Sequence, residues 1–163
     1  MADFLNLKGK KALICGASQG IGEACAKLLA AAGAEVTMIA RRQDDLDRVK
    51  KDLVSWPGAS HRTLALDLSQ TTLIAAKLEP LLPFDIIVHN VAGPKAGALL
   101  NASPLEMEEA LKLHLFSAQT IAKTCVPHMQ NKKWGRWINI ISTSVKVPIN
   151  NLGVSNTVRG AMA

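Results

Sequence analysis

The eight residues Cys15-Gly16-Ala17-Ser18-Gln19-Gly20-Ile21-Gly22 constrain this chain more than any other stretch. Before them, Lys11 to Cys15 is a short apolar run of strand character. After them, Ile21, Ala24, Cys25, Leu28, Leu29 and Ala32 recur at the spacing of one helix face, and Gly33 ends the pattern. A strand feeding a helix through such a loop gives each glycine a separate task. Gly16 permits a tight turn, Gly20 lets the backbone approach a diphosphate, and Gly22 allows close helix packing. Unpaired N–H groups at the helix start add partial positive charge. Taken alone, the loop also reads as a ligand-free glycine-rich turn.

The alternation continues along the chain. Glu35 to Ala40 is β-rich, Asp45 to Val54 is helical through Leu46, Val49 and Leu53, and Trp56-Pro57-Gly58 breaks the pattern. Thr63 to Leu66 reads as a third strand, Ser69 to Leu82 as a helix closed by Pro83, and residues 84–90 as a fourth strand covered on both faces. Ser103-Pro104-Leu105-Glu106 is a helix start of the capping-box type. The long helix it opens carries Leu111, Leu115, Ala118, Ala122 and Cys125 on one stripe, and Arg136 to Ile141 is a fifth strand. Strands alternating with helices predict an α/β fold. It is a doubly wound parallel sheet of the Rossmann kind with helices on both faces, one dinucleotide-binding domain over residues 1–163.

Composition narrows the classes. Apolar residues make up 48% and charged residues 20%, which is globular. The net charge is +6, but the bases are dispersed among acids and aromatics are few, so a nucleic-acid surface is not expected. The excess suits a phosphorylated small molecule. Cys15, Cys25 and Cys125 lack paired or metal-like spacing and read as buried hydrophobes, so no metal is expected. No apolar stretch reaches the roughly 18 residues of a membrane span. Met1-Ala2-Asp3-Phe4 lacks a signal-peptide layout, so the expected compartment is the cytoplasm.

The spacing Gly-x-x-x-Gly-Ile-Gly resembles the short-chain dehydrogenase/reductase family, and three further landmarks follow in family order. Asp67-Leu68 is similar to the pair that meets the adenine ring. Asn90-Val91-Ala92-Gly93 resembles the family's Asn-Asn-Ala-Gly, and Asn139-Ile140-Ile141-Ser142 its Asn-Ile-Ser-Ser. Cys15 replaces the usual threonine before the first glycine. The resemblance implies an oxidoreductase interconverting a small carbonyl and an alcohol. It also implies a homodimer or homotetramer, and 3-oxoacyl thioester reductases are the nearest general likeness. It implies cofactor contacts from Gly16, Ser18, Gln19, Gly20, Ile21, Gly22, Asp67, Leu68, Asn90, Ala92 and Gly93. Where an acid would hold a free ribose 2′-hydroxyl, the second strand ends in Arg41-Arg42. Guanidinium groups suit a 2′-phosphate, which favours NADP(H) over NAD(H).

The family's catalytic positions fall on unusual residues. The strand-end serine is Ser142; thirteen residues on, where the family has tyrosine, stands Ser155, and four further on, in place of lysine, stands Arg159. The asparagine of the family's proton relay falls on His114, and the chain contains no tyrosine. A serine hydroxyl is far too weak an acid to replace a phenol. Arg159, standing for the lysine that in the family binds the nicotinamide ribose, is expected to bind the cofactor and stabilise negative charge but not to shuttle protons. His114, with an ordinary pKa near 6.5, offers a proton route, yet its place on the buried stripe fits a satisfied core histidine equally. His89 beside the cofactor motif reads the same way, and His61 and His128 carry no signal. Divergent family members carry a similar Ser-Asn-x-x-Arg segment. A nucleotide-binding protein without catalysis, regulatory or structural, is the alternative on the same scaffold. Family members run to about 250 residues as one domain, so residues 1–163 are expected to be roughly the N-terminal two-thirds.

Overall fold

A computed structural model describes residues 6–163, so the N-terminal residues read against a signal peptide lie outside the described part. Five parallel strands form one sheet in the order β3-β2-β1-β4-β5. They are β1 (Lys11–Cys15), β2 (Glu35–Ala40), β3 (Arg62–Ala65), β4 (Ile86–His89) and β5 (Arg136–Asn139). The order runs outward in both directions from β1. The chain therefore winds first one way through β2 and β3, then crosses back through β4 to β5, and the reversal opens a crevice at the strand ends beside β1 and β4.

Alternate residues of each strand enter two cores. On one face Ala12, Ile14, Val36, Met38, Ile86 and Val88 pack against α1 (Gly20–Ala31) and α2 (Gln43–Lys51). Ala26 and Ala30 present only methyls there, so α1 lies close to the sheet. On the other face Leu13, Cys15, Ile39 and Ile87 meet α3 (Thr71–Leu78) and α5 (Ser117–Asn131) through Ile74, Leu78, Ile121, Cys125 and Met129. This is the expected doubly wound sheet with helices on both faces.

Several boundaries move, each for a local reason. The third helix starts at Thr71 rather than Ser69, because Asp67 Oδ1 accepts from both Ser69 N (2.9 Å) and Ser69 Oγ (2.8 Å) and holds a turn there. It tightens to a 3₁₀ turn at Glu79–Leu81, around Pro80. The second helix spans Gln43–Lys51, and Leu53 reaches the core from the turn beyond it. The fifth strand stops at Asn139, opposite the end of β4 at His89, with Ile140 N donating to His89 O as the last rung.

The largest departure lies in the long helix. It is α4 (Pro104–Leu111), a π turn (Lys112–Phe116) and then α5. Ser103 caps α4 as read from sequence: its Oγ accepts from Glu106 N, while the Glu106 carboxylate accepts from Ser103 N. The buried line then runs through Ala110, His114, Ser117, Ala118, Ile121, Cys125 and Met129. Leu111, Leu115 and Ala122 of the expected stripe are only half-buried. A final helix, α6 (Gly153–Gly160), packs on α4, on the π turn and on the 3₁₀ turn Thr143–Val145. No helix among the described residues is long and apolar enough to cross a membrane.

Candidate functional site

Gly16 and Gly20 adopt φ of +61° and +56°, a region glycine enters at little cost. A Cβ on Gly16 would collide with the Asn90 carbonyl oxygen and stand 3.0 Å from Asn90 Nδ2. A Cβ on Gly22 would collide with the Gly16 carbonyl. The loop, the start of α1 and the end of β4 are therefore in backbone contact, and Asn90 Nδ2 donates to Gly16 O at 3.4 Å. Gly20 has open space where its side chain would be. Gln19, at the N-cap of α1, makes no side-chain capping bond.

That space belongs to a cavity of about 340 Å³ at the crevice. Gly16, Ser18, Gln19, Gly20, Ile21, Arg41, Asp67, Leu68, Asn90 and Ala92 all line it. So do Ile39, Ala40, Leu66, Val91 and Leu113, which sequence reading left out and which supply apolar walls. Gly22 lies beneath the loop as a packing residue. Arg42 does not line the cavity, and its guanidinium pairs with Asp45 one turn into α2. An acid in the first helical turn is a favourable partner, so only Arg41 of the two arginines faces the crevice.

A second cavity of about 640 Å³ shares Arg41, Asp67 and Leu113 with the first. Pro94, Lys95, Ala110, His114 and Val154 are among its walls. His114 is 2% exposed, and its Nε2 has no hydrogen-bond partner. Burial, then the Arg159 charge, push its pKa down to about 4, against the opposing influence of the Ala92 backbone. His89 is equally buried and is also held at about 4, by burial, then His114, then Arg159. Both rings are neutral near pH 7.

Arg159 lies against Gly93, where a Cβ would stand 3.5 Å from Nη2. Its Nη1 donates to Ile140 O at 2.9 Å, and its buried Nε has no partner. Burial lowers its pKa, but guanidinium stays charged at any working pH. Ser142 Oγ accepts from Ser144 N at 3.1 Å, which leaves the hydroxyl proton free to point elsewhere. Ser155 is buried on α6. The fold thus gathers His114, His89 and Arg159. It brings α6, with Ser155, against the turn that Ser142 caps, but neither Ser142, Ser155 nor Arg159 lines the two cavities.

Other supporting contacts join residues distant in sequence. Arg48 Nη2 on α2 donates to Ser18 O at 2.8 Å and to Glu23 at 2.9 Å, tying the glycine loop to the neighbouring helix. Bonds from Arg48 and then Lys27 hold the Glu23 carboxyl at about 2. Asn156 Nδ2 donates to Ile149 O at 2.9 Å and so anchors the loop before α6. His61 accepts from Val36 N at 3.1 Å through Nδ1, so its Nε2–H faces Val54 O at 3.0 Å; it joins β2 to the loop after α2. Burial pushes the Cys15 and Cys125 thiols up to about 12, too high for reactivity. No cluster of three or more potential ligands for a metal occurs among the described residues.

Residues 10–161 match the short chain dehydrogenase family. The chain belongs to that family. Among curated relatives of this chain, the dehydrogenase/reductase SDR family protein 7-like of Anopheles gambiae is 34% identical over 166 aligned residues. That alignment covers 96% of this chain and 52% of the relative. The 3-oxoacyl-[acyl-carrier-protein] reductase of Vibrio cholerae is 31% identical, over 93% of this chain and 62% of its own length. The chain thus spans between half and two-thirds of these relatives. A metagenomic short-chain oxidoreductase solved in complex with NADP superposes with a TM-score of 0.86 at 30% identity, over 94% of this chain and 70% of that one. The fold described above is shared with that structure.

Proposed function

We propose that this protein is an NADP(H)-dependent oxidoreductase that interconverts a small carbonyl and an alcohol through a site without the family's tyrosine and lysine. One observation carries the reading. The crevice joins an uncapped helix start, an open Gly20, an arginine and apolar walls in one cavity. Those features fit a dinucleotide: N–H groups and the Gly20 backbone for the diphosphate, Asp67, Leu68 and the apolar walls for adenine, and Arg41 for a 2′-phosphate. The NADP complex of the 30%-identical metagenomic oxidoreductase supports the same choice of cofactor. Reduced nicotinamide, when bound, supplies a hydride to the carbonyl carbon.

The chain's own residues have then to place the substrate and handle one proton. Ser142, with its oxygen already accepting from Ser144 N, donates its hydroxyl proton in a hydrogen bond to the substrate oxygen. Arg159 contributes fixed positive charge that stabilises the developing alkoxide, and it releases no proton. Neutral His114, with its free Nε2, accepts or passes a proton and does not donate from an imidazolium. In reduction the Ser155 hydroxyl gives its proton to the alkoxide oxygen and takes one back from water. Positioned acid–base help is worth about 10²–10⁴ in rate, so its weakening slows the reaction while orientation and electrostatic support remain. The relatives suggest 3-oxoacyl thioesters as the first substrate class to try.

A second reading, cofactor binding without catalysis, is favoured by the commitment of Arg159 Nη1 to the Ile140 carbonyl. Steady-state NADPH oxidation by the full protein against 3-oxoacyl thioesters, diketones and aldehydes separates the two. Turnover that collapses in Ser142→Ala supports the enzyme. Tight NADPH binding with no turnover in either protein supports the silent binder.

A further inference from the structure

β4 alternates between the two cores: Ile86 and Val88 face α1 and α2, and Ile87 faces α3 and α5. His89 continues the second of these faces. An apolar residue would satisfy that position, yet an imidazole is buried there at 2% exposure. Burying a polar ring without a partner is costly, and His89 Nε2 has a partner in Ser117 Oγ at 2.9 Å. Trp137 stacks on the His89 ring, with ring centroids 6.4 Å apart.

Ser117 closes the π turn. Its backbone N–H reaches back to Lys112 O, five residues earlier, and its Oγ donates to Leu113 O at 2.5 Å. With its proton so used, the Ser117 oxygen accepts from His89, which places the His89 proton on Nε2. A π turn leaves carbonyls without their regular helical partners and is usually confined to one turn near a functional site. Here the serine hydroxyl supplies the missing donor, and the histidine on the sheet locks that hydroxyl in place. The residue in the middle of the turn is His114, which is among the residues lining the second cavity and whose ring is buried with Nε2 unpartnered.

We propose that His89, acting through Ser117, is the positioning residue that fixes the π turn and holds the His114 ring at the second cavity. The proposal rests on the reading of His114 as a participant in the reaction. It makes the sheet, rather than the helix alone, the reference against which that ring is set. An imidazole misplaced by about 1 Å would cost up to about a hundredfold in rate.

The test compares Ser117→Ala and His89→Val with wild type in the full protein. Ser117→Ala removes one oxygen and keeps the fold if the bulkier change does not. Three quantities are read: the ring signals of His114 by ¹⁵N NMR, NADPH affinity by fluorescence, and kcat. In either variant the His114 ring signals shift or broaden, NADPH affinity stays within about twofold, and kcat falls by about ten- to a hundredfold. Adding His114→Asn to Ser117→Ala produces no further loss. Unmoved His114 signals in Ser117→Ala overturn the proposal, as do losses that multiply independently in the double variant. If wild type shows no turnover, the enzyme reading fails on its own, and the ring signals still decide whether His89 and Ser117 position His114.

Discussion

Gly22→Ala tests how the glycine loop is built. A methyl there would overlap the Gly16 carbonyl oxygen, stand 2.7 Å from the Gly16 carbonyl carbon and 2.9 Å from Asn90 Nδ2. Two of these three atoms are backbone. Gly16 cannot retreat, because it is itself pressed against the Asn90 carbonyl. Overpacking costs about 1–3 kcal/mol, and rigid backbone neighbours place this case at the upper end. Alanine in place of glycine within a helix returns at most about 1 kcal/mol. The net loss of about 2 kcal/mol lowers Tm by about 4–8 °C for a domain of this size. Gly20→Ala is the control. It meets nothing within 4 Å, so it carries only the cost of a left-handed residue, about 1–2 kcal/mol. Its methyl instead intrudes on the cavity. Thermal denaturation and NADPH titration should therefore separate the pair, with Gly22→Ala losing more stability and Gly20→Ala losing affinity while folded. A Gly22→Ala protein that melts with wild type would refute the close approach of α1 to the loop.

Three further outcomes follow from the same contacts. Arg41→Ala should weaken NADPH by about 1.5–3 kcal/mol, the worth of a charged hydrogen bond, and leave NADH unchanged; equal losses for both cofactors in titrations would sink the 2′-phosphate role. Asp85 is buried and accepts from Lys11 N at 2.9 Å and Lys132 Nζ at 2.8 Å, so Asp85→Ala should cost about 2–3 kcal/mol in urea unfolding, whereas a loss below about 0.5 kcal/mol would show the pair to be idle. Acid should destabilise the protein early. Below about 6.5 the unfolded chain protonates both His89 and His114, while the folded rings refuse protons until about 4, so stability falls as pH drops through that window. Melting curves should show this slope reduced in His114→Asn, and an identical slope in the variant would contradict the burial argument.

What was legible in the sequence was what the chain dictates locally. Gly16 and Gly20 announce themselves because the loop needs positive φ, and Gly22 because helix and loop approach too closely for a side chain. The capping box at Ser103 and the alternating strands are equally local. The Arg41-Arg42 pair was half legible: which guanidinium turns to the crevice depends on Asp45, which captures Arg42. Contacts between elements left no periodic signal. Arg48 reaching Ser18 spans 30 residues, and His89 reaching Ser117 spans 28. The π turn was hidden for the same reason, since its hydroxyl partner is on its own helix but that partner's lock is on the sheet.

If this crevice delivers a hydride to a carbonyl without a tyrosine, as proposed, the isotope of a labelled cofactor must appear in the product. The full protein is mixed with NADPH deuterated at the transferable position and with the carbonyl panel, and the product alcohols are examined by mass spectrometry. Deuterium on the carbinol carbon, lost in Ser142→Ala, is the predicted result. NADPH that binds firmly yet leaves every carbonyl unlabelled would contradict the account and leave the protein a nucleotide binder.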